Sequence, residues 1–265
     1  MDHRADDLKA RKEEPSFSTA PPTSGWGSRL APRTAVLILV AGLLLPPALH
    51  AQAAGSPSTD ARESRAGERT TLDIARADLR HLAGCSAGAP GDAVELQRLR
   101  SLYILAISYE EELERAEVEA ARLARTMDGP APALVRSYQG ALTVLRAKHG
   151  FWPVARMRDL RAGLAELDRQ VGAHPDHLEV RYLRLVSTAF LPSLLGRNAD
   201  VRADLDAVAR LLPTQVGQLP SRTLQAMGDT TLELLPTDDP RRLEVTAALE
   251  RDRSRPVPLA PGCQG

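Results

Sequence analysis

The sequence predicts an all-α fold, an antiparallel helical-hairpin array of about eight helices. Three observations carry this expectation. Ala, Leu and Arg dominate, aromatics make up only 3% of the chain, and strand-type runs of Val, Ile, Thr and Tyr are almost absent. Apolar residues recur at alternating spacings of three and four. Prolines and acidic residues cluster at the breaks between these stretches, where helices stop and restart.

Taken in order, residues 1–28 are polar and longer than an ordinary signal n-region, which places the start expected for such a signal near Leu30. The apolar run Ala35 to Leu45 follows Arg29 and Arg33, is closed by Pro46 and Pro47, and leads into Ala51-Gln52-Ala53. It is about half the roughly 20 apolar residues a bilayer-spanning helix needs. Residues 1–53 therefore read as a tail and secretory signal cleaved after Ala53, giving an exported, periplasmic or envelope-associated protein. The alternative keeps the signal uncleaved, so that residues 35–48 form a single membrane anchor.

Residues 54–69 lack periodicity and read as a flexible linker ahead of a helical domain spanning 70–253. Thr71 to Ala83 is a short first helix, and Gly84 to Gly91 a loop holding Cys85. No Gly or Pro interrupts Ala93 to Asp128, which predicts one helix about 50 Å long, opened by a capping box of Asp92 and Glu95 and stopped by Gly129; the alternative is two helices with a kink near Ser108, where no breaker stands. Its Glu-rich middle, Glu110 to Glu119, reads as a solvated face paired with Arg115, Arg122 and Arg125.

Pro132 to Lys148 forms the next helix, with His149 and Gly150 at its end. After the turn Phe151-Trp152, Pro153 opens a helix to Ala173. Asp176 and Glu179 make a second capping box for a helix to Phe190. Val201 to Leu212, Ser221 to Leu235 and Pro240 to Arg253, the last capped by Asp239, complete the array. Residues 254–265 form a Pro-rich tail with Cys263.

The segment Leu164 to Leu185, LAELDRQVGAHPDHLEVRYLRL, resembles the closing helix of a tetratricopeptide repeat, its proline (Pro175) and the opening helix of the next, in degenerate form. Ala141 to Met157, Val180 to Ser187 and Phe190 to Gly196 resemble an uncharacterised family of exported bacterial helical proteins. That likeness implies a helical fold and an envelope address, and brings no catalytic residues.

The charge balance, 34 Lys plus Arg against 34 Asp plus Glu, supplies no basic field for nucleic acid. Cys85 and Cys263 are either a disulfide, worth on the order of 4 to 5 kcal/mol, or two free thiols. His174 and His177 lack a third ligand close by in sequence, so no metal is expected, and no cofactor. No nucleophile elbow or catalytic triad pattern is visible, and the chain does not read as an enzyme.

Arg181 and Arg184 sit one turn apart among apolar residues, with Trp152 the candidate aromatic beside them for a small anionic ligand. The competing reading pairs both arginines with carboxylates of a neighbouring helix, such as Glu166 or Asp168. Phe151 with Trp152 reads as a wedge buried between two helices, the alternative being an exposed aromatic turn that serves a partner as a hot spot. The leading expectation for function is a helical binding or scaffold protein that meets another protein. The membrane then matters only through the signal or anchor segment.

Overall fold

A computed structural model of the chain describes residues 59–84, 91–129 and 131–255. Among these residues the structure is all-α, with nine helices packed in sequential pairs. They are α1 (Thr59–Gly84), α2 (Asp92–Ser108), α3 (Glu110–Thr126), α4 (Ala131–His149), α5 (Pro153–Ala173), α6 (Leu178–Thr188), α7 (Asn198–Leu211), α8 (Ser221–Leu234) and α9 (Arg241–Arg253). Short 3-10 turns at Ser193–Leu195 and Leu212–Gln215 complete the connections.

The single long helix expected over 93–128 is instead a hairpin. Tyr109 is extended, at φ −126 and ψ 118, and its N–H closes α2 on the Leu105 carbonyl at 2.9 Å. The chain then reverses, so that Arg122 near the end of α3 bonds Glu95 near the start of α2. The reversal lets Leu99, Leu102 and Ala106 bury in one cluster with Leu113, Ala116 and Ala120, which a straight rod would hold apart. Glu110, Glu111 and Glu112 fill the first turn of α3, where negative charge favours a helix N-terminus.

Both expected capping boxes are replaced by other roles. Gly91 caps α2 without a side-chain bond, while Glu95 is buried against Arg122. His177, not Asp176, caps α6: its Nδ1 accepts the Val180 N–H at 3.4 Å. Asp176 pairs with Arg210 at the surface, and Glu179 lies inside the molecule. At α9, by contrast, Asp239 Oδ1 does take the Arg241 N–H at 2.9 Å. The first helix starts at Thr59, earlier than the expected Thr71, and so runs through much of the stretch read as linker.

Helices α4 and α5 cross with their backbones in close approach. A Cβ built on Gly163 would lie 2.6 Å from the Gly140 carbonyl oxygen, so glycine is what this crossing admits.

Buried side chains form two main clusters. The larger draws on α2 to α6, including Leu99, Leu123, Leu142 and Leu167; the second joins α6 to α9 through Leu185, Val208, Leu224 and Leu249. Helix α6 belongs to both, since Val180 and Leu183 face the first and Leu178 and Leu185 the second.

Candidate functional site

A buried polar group joins three helices. Arg100 of α2 forks onto Glu179 of α6, with Nε to Oε1 at 2.8 Å and Nη2 to Oε2 at 2.6 Å. The Tyr138 hydroxyl of α4 donates to Glu179 Oε1 at 2.6 Å, and the Tyr138 ring stands edge-on to Tyr103 at 5.4 Å. Burial alone would raise the Glu179 pKa, but the Arg100 charge and both donors hold it below the ordinary value. Burial and the Glu179 charge push the Tyr138 hydroxyl well up, so it stays a donor. Every one of these groups satisfies another, the condition under which a buried charge is tolerated. The cluster is a pin between α2, α4 and α6.

The sequence held a signal for it. Arg100 is the one charge in the run Leu99 to Tyr109, and Glu179 shares a helix phase with Leu183 and Ser187. A charge in an apolar phase needs a partner, and two such residues 79 positions apart found each other.

Arg181 and Arg184 are drawn into a second carboxylate network. Arg184 forks onto Asp204 of α7 at 2.7 and 2.8 Å and reaches Asp168 of α5 with Nη1 at 3.0 Å. Arg181 bonds Asp204 at 2.9 Å and the Pro175 carbonyl at 2.7 Å. Arg197 closes the far side of Asp168, whose pKa is held down: burial opposes this, but both guanidinium groups outweigh it. Asp204 is 0% exposed, so the network stitches α5, α6 and α7 from inside.

Trp152 is not near these arginines. It precedes the first residue of α5, and Asp168 lies roughly 22 Å along that helix at 1.5 Å per residue. The expected wedge is also absent: Phe151 is 69% exposed, Trp152 71% and Val154 84%. The two rings meet edge to face at 5.3 Å and 88°. The Gly150 N–H closes on the Arg146 carbonyl and the Arg156 N–H on the Trp152 carbonyl, so the turn that carries the rings is itself hydrogen-bonded at both ends. Arg158 and Arg161 line the same face of α5 beside Val154 and Met157.

A cleft of about 400 Å³ opens between α1 and α2 on one side and α8 on the other, floored by α4 and α6. Ile74, Tyr103, Ile107, Val186 and Met227 give it an apolar wall. Its rim is bridged by Arg222 of α8 to Asp78 of α1, which also accepts from Gln97. Tyr182 stands at the floor with its hydroxyl on Thr230 at 3.1 Å and its pKa pushed up to about 12 by burial. Nothing in the sequence pattern announced this cleft, because its walls come from five helices spread over most of the chain.

His174 closes α5 and His177 caps α6, where burial lowers the His177 pKa. Among the described residues no group of three or more His, Cys, Asp and Glu is placed to hold a metal ion. No described helix is long and apolar enough to cross a membrane. Cys85, Cys263, the cleavage position Ala53 and the apolar segment 35–48 lie outside the described residues. Comparison with protein-family models, with curated proteins and with solved structures gave no match for this chain.

Proposed function

We propose that the protein is an exported helical binding module, tetratricopeptide-like in kind, that docks a protein partner through the turn between α4 and α5 and performs no chemistry of its own. The observation that carries this reading is the exposed trio Phe151, Trp152 and Val154, at 69, 71 and 84%. Aromatic rings beside arginines are the composition of binding hot spots, and Arg158 and Arg161 supply the arginines here. Rings left in water stabilise little of the fold, so a docking role gives them a use the core does not. The export half of the reading rests on the signal at residues 34–53.

The test is mild crosslinking of the tagged full-length protein in native envelope extracts, with intact-mass analysis of the bait. The expected result is a reproducible protein partner held by the wild type and lost by Phe151→Ala with Trp152→Ala, while the melting profile of the double variant is unchanged. A partner held equally by the double variant would remove the docking turn. A bait mass starting at Ala54 supports export with cleavage; a bait retaining residues 1–53 supports the single-anchor alternative. The small-anion reading on Arg181 and Arg184 has less support, because Asp204 and Asp168 already occupy both guanidinium groups.

A further inference from the structure

The cleft between α1, α2 and α8 is separate from the exposed turn, and its chemistry is different. We propose that it binds a small apolar cation, an aliphatic primary ammonium whose chain lies along the apolar wall and whose charge meets Asp229 at the rim.

Volume and lining set the body of the ligand. About 400 Å³ is within the range of small-molecule pockets, and Ile74, Ile107, Val186 and Met227 offer aliphatic surface with no polar demand. Filling such a wall removes apolar area from water on both sides, which favours a chain over a compact polar solute.

Charge sets the head. Four ionised side chains line the cleft, and three of them are matched. Arg100 is neutralised by Glu179 behind the wall, and Arg222 with Asp78 across the rim. Asp229 has no hydrogen bond or ion pair among the described residues, and it is an exposed residue of α8 that lines the cleft. The net charge presented to an occupant is therefore that of one carboxylate. Desolvation by the cleft wall raises the Asp229 pKa, with the more distant Arg253 charge opposing, so the position lacks a cation close at hand. A second unmatched group has the same sense: Gln97 Oε1 is buried on the wall without a donor, while its Nε2 serves Asp78. Unmatched acceptors at the rim and on the wall favour a ligand that carries N–H donors, and disfavour an anion.

The experiment is calorimetric titration of the full-length protein with octylammonium, 1-octanol and octanoate at neutral pH, three probes that share a chain and differ in head. Octylammonium is expected to bind saturably and about ten-fold more tightly than octanol, a difference of about 1.4 kcal/mol, with octanoate weakest. Asp229→Asn should bring octylammonium down to the octanol level and leave octanol unchanged. Ala226→Phe, which fills the cleft from α8, should abolish all three; its folding is checked by circular dichroism, and Val186→Phe serves the same purpose from α6. Octanoate binding as tightly as octylammonium, octylammonium binding untouched by Asp229→Asn, or no saturable binding of octylammonium would each overturn the proposal. None of these outcomes depends on Phe151 or Trp152, so the cleft and the docking turn stand or fall separately.

Discussion

Alanine at two glycines of one helix should change stability in opposite directions. In an exposed helix interior, replacing Gly by Ala gains roughly 0.5 to 1 kcal/mol by restricting the unfolded chain. Gly172, near the end of α5, is exposed with nothing within 4 Å of a built Cβ, so Gly172→Ala is expected to show this gain. Gly163, about two and a half turns earlier on α5, meets a different surrounding. Its Cβ would lie 2.6 Å from the Gly140 carbonyl oxygen, 2.8 Å from Val144 Cγ2 and 2.9 Å from the Val144 nitrogen. Two of these three neighbours are backbone atoms, which cannot swing aside as a side-chain end would. The helices must part by several tenths of an ångström or more, and a gap of about 0.5 to 1 Å forfeits a quarter to a half of each dispersion contact along the crossing. Overpacking of this kind costs about 1 to 3 kcal/mol, more than the helix-propensity gain returns. Urea unfolding followed by circular dichroism checks both variants: the midpoint should fall for Gly163→Ala and rise for Gly172→Ala at unchanged slope. A Gly163→Ala protein at least as stable as the wild type would refute the close α4 to α5 crossing.

Three further outcomes are expected. Glu179→Gln leaves the Arg100 charge buried and unneutralised, at a cost of about 3 to 5 kcal/mol, and Arg100→Met together with Glu179→Met should recover most of it; equal losses in the single and double variants would contradict the pin. Glu179 and Asp168 both have folded pKa values below their ordinary ones, so the unfolded chain binds more protons in acid. Their contribution is fully present above about pH 4.3 and is lost as pH falls through the lowered folded values, so the melting temperature should drop on acidification from 5 to 3, and less steeply in Glu179→Gln. Trp152→Ala should alter unfolding free energy by less than about 0.5 kcal/mol, as for an exposed side chain, whereas a ring wedged in the core would cost about 3 to 5 kcal/mol.

Where one residue carried the signal, the sequence located the element closely. Pro153 opens α5, Gly129 at φ 72 ends the α3 segment, and Ser221 starts α8 as the proline and glycine punctuation indicated. The α2 to α3 break falls where the alternative of two helices put a kink, near Ser108, but the full reversal was not legible, because a single extended tyrosine makes it with no breaker to mark it. Glu95 and Glu179 sat at capping-box spacing, yet each was claimed by an arginine on another helix. Local spacing cannot weigh a partner 79 residues away against a backbone amide three residues away. The same limit applies to Trp152: the sequence favoured a buried wedge over an exposed partner turn, and only with the neighbouring helices in place is the ring seen to lie outside.

Helix α6, eleven residues long, shares its leucines between both hydrophobic clusters. A chain severed between α6 and α7 would therefore yield no two autonomous halves: the front piece would carry Leu178 and Leu185 into water, and the back piece would lose the cover over Val208 and Leu212. Any helix pair inserted at this midpoint would have to reproduce two interfaces at once.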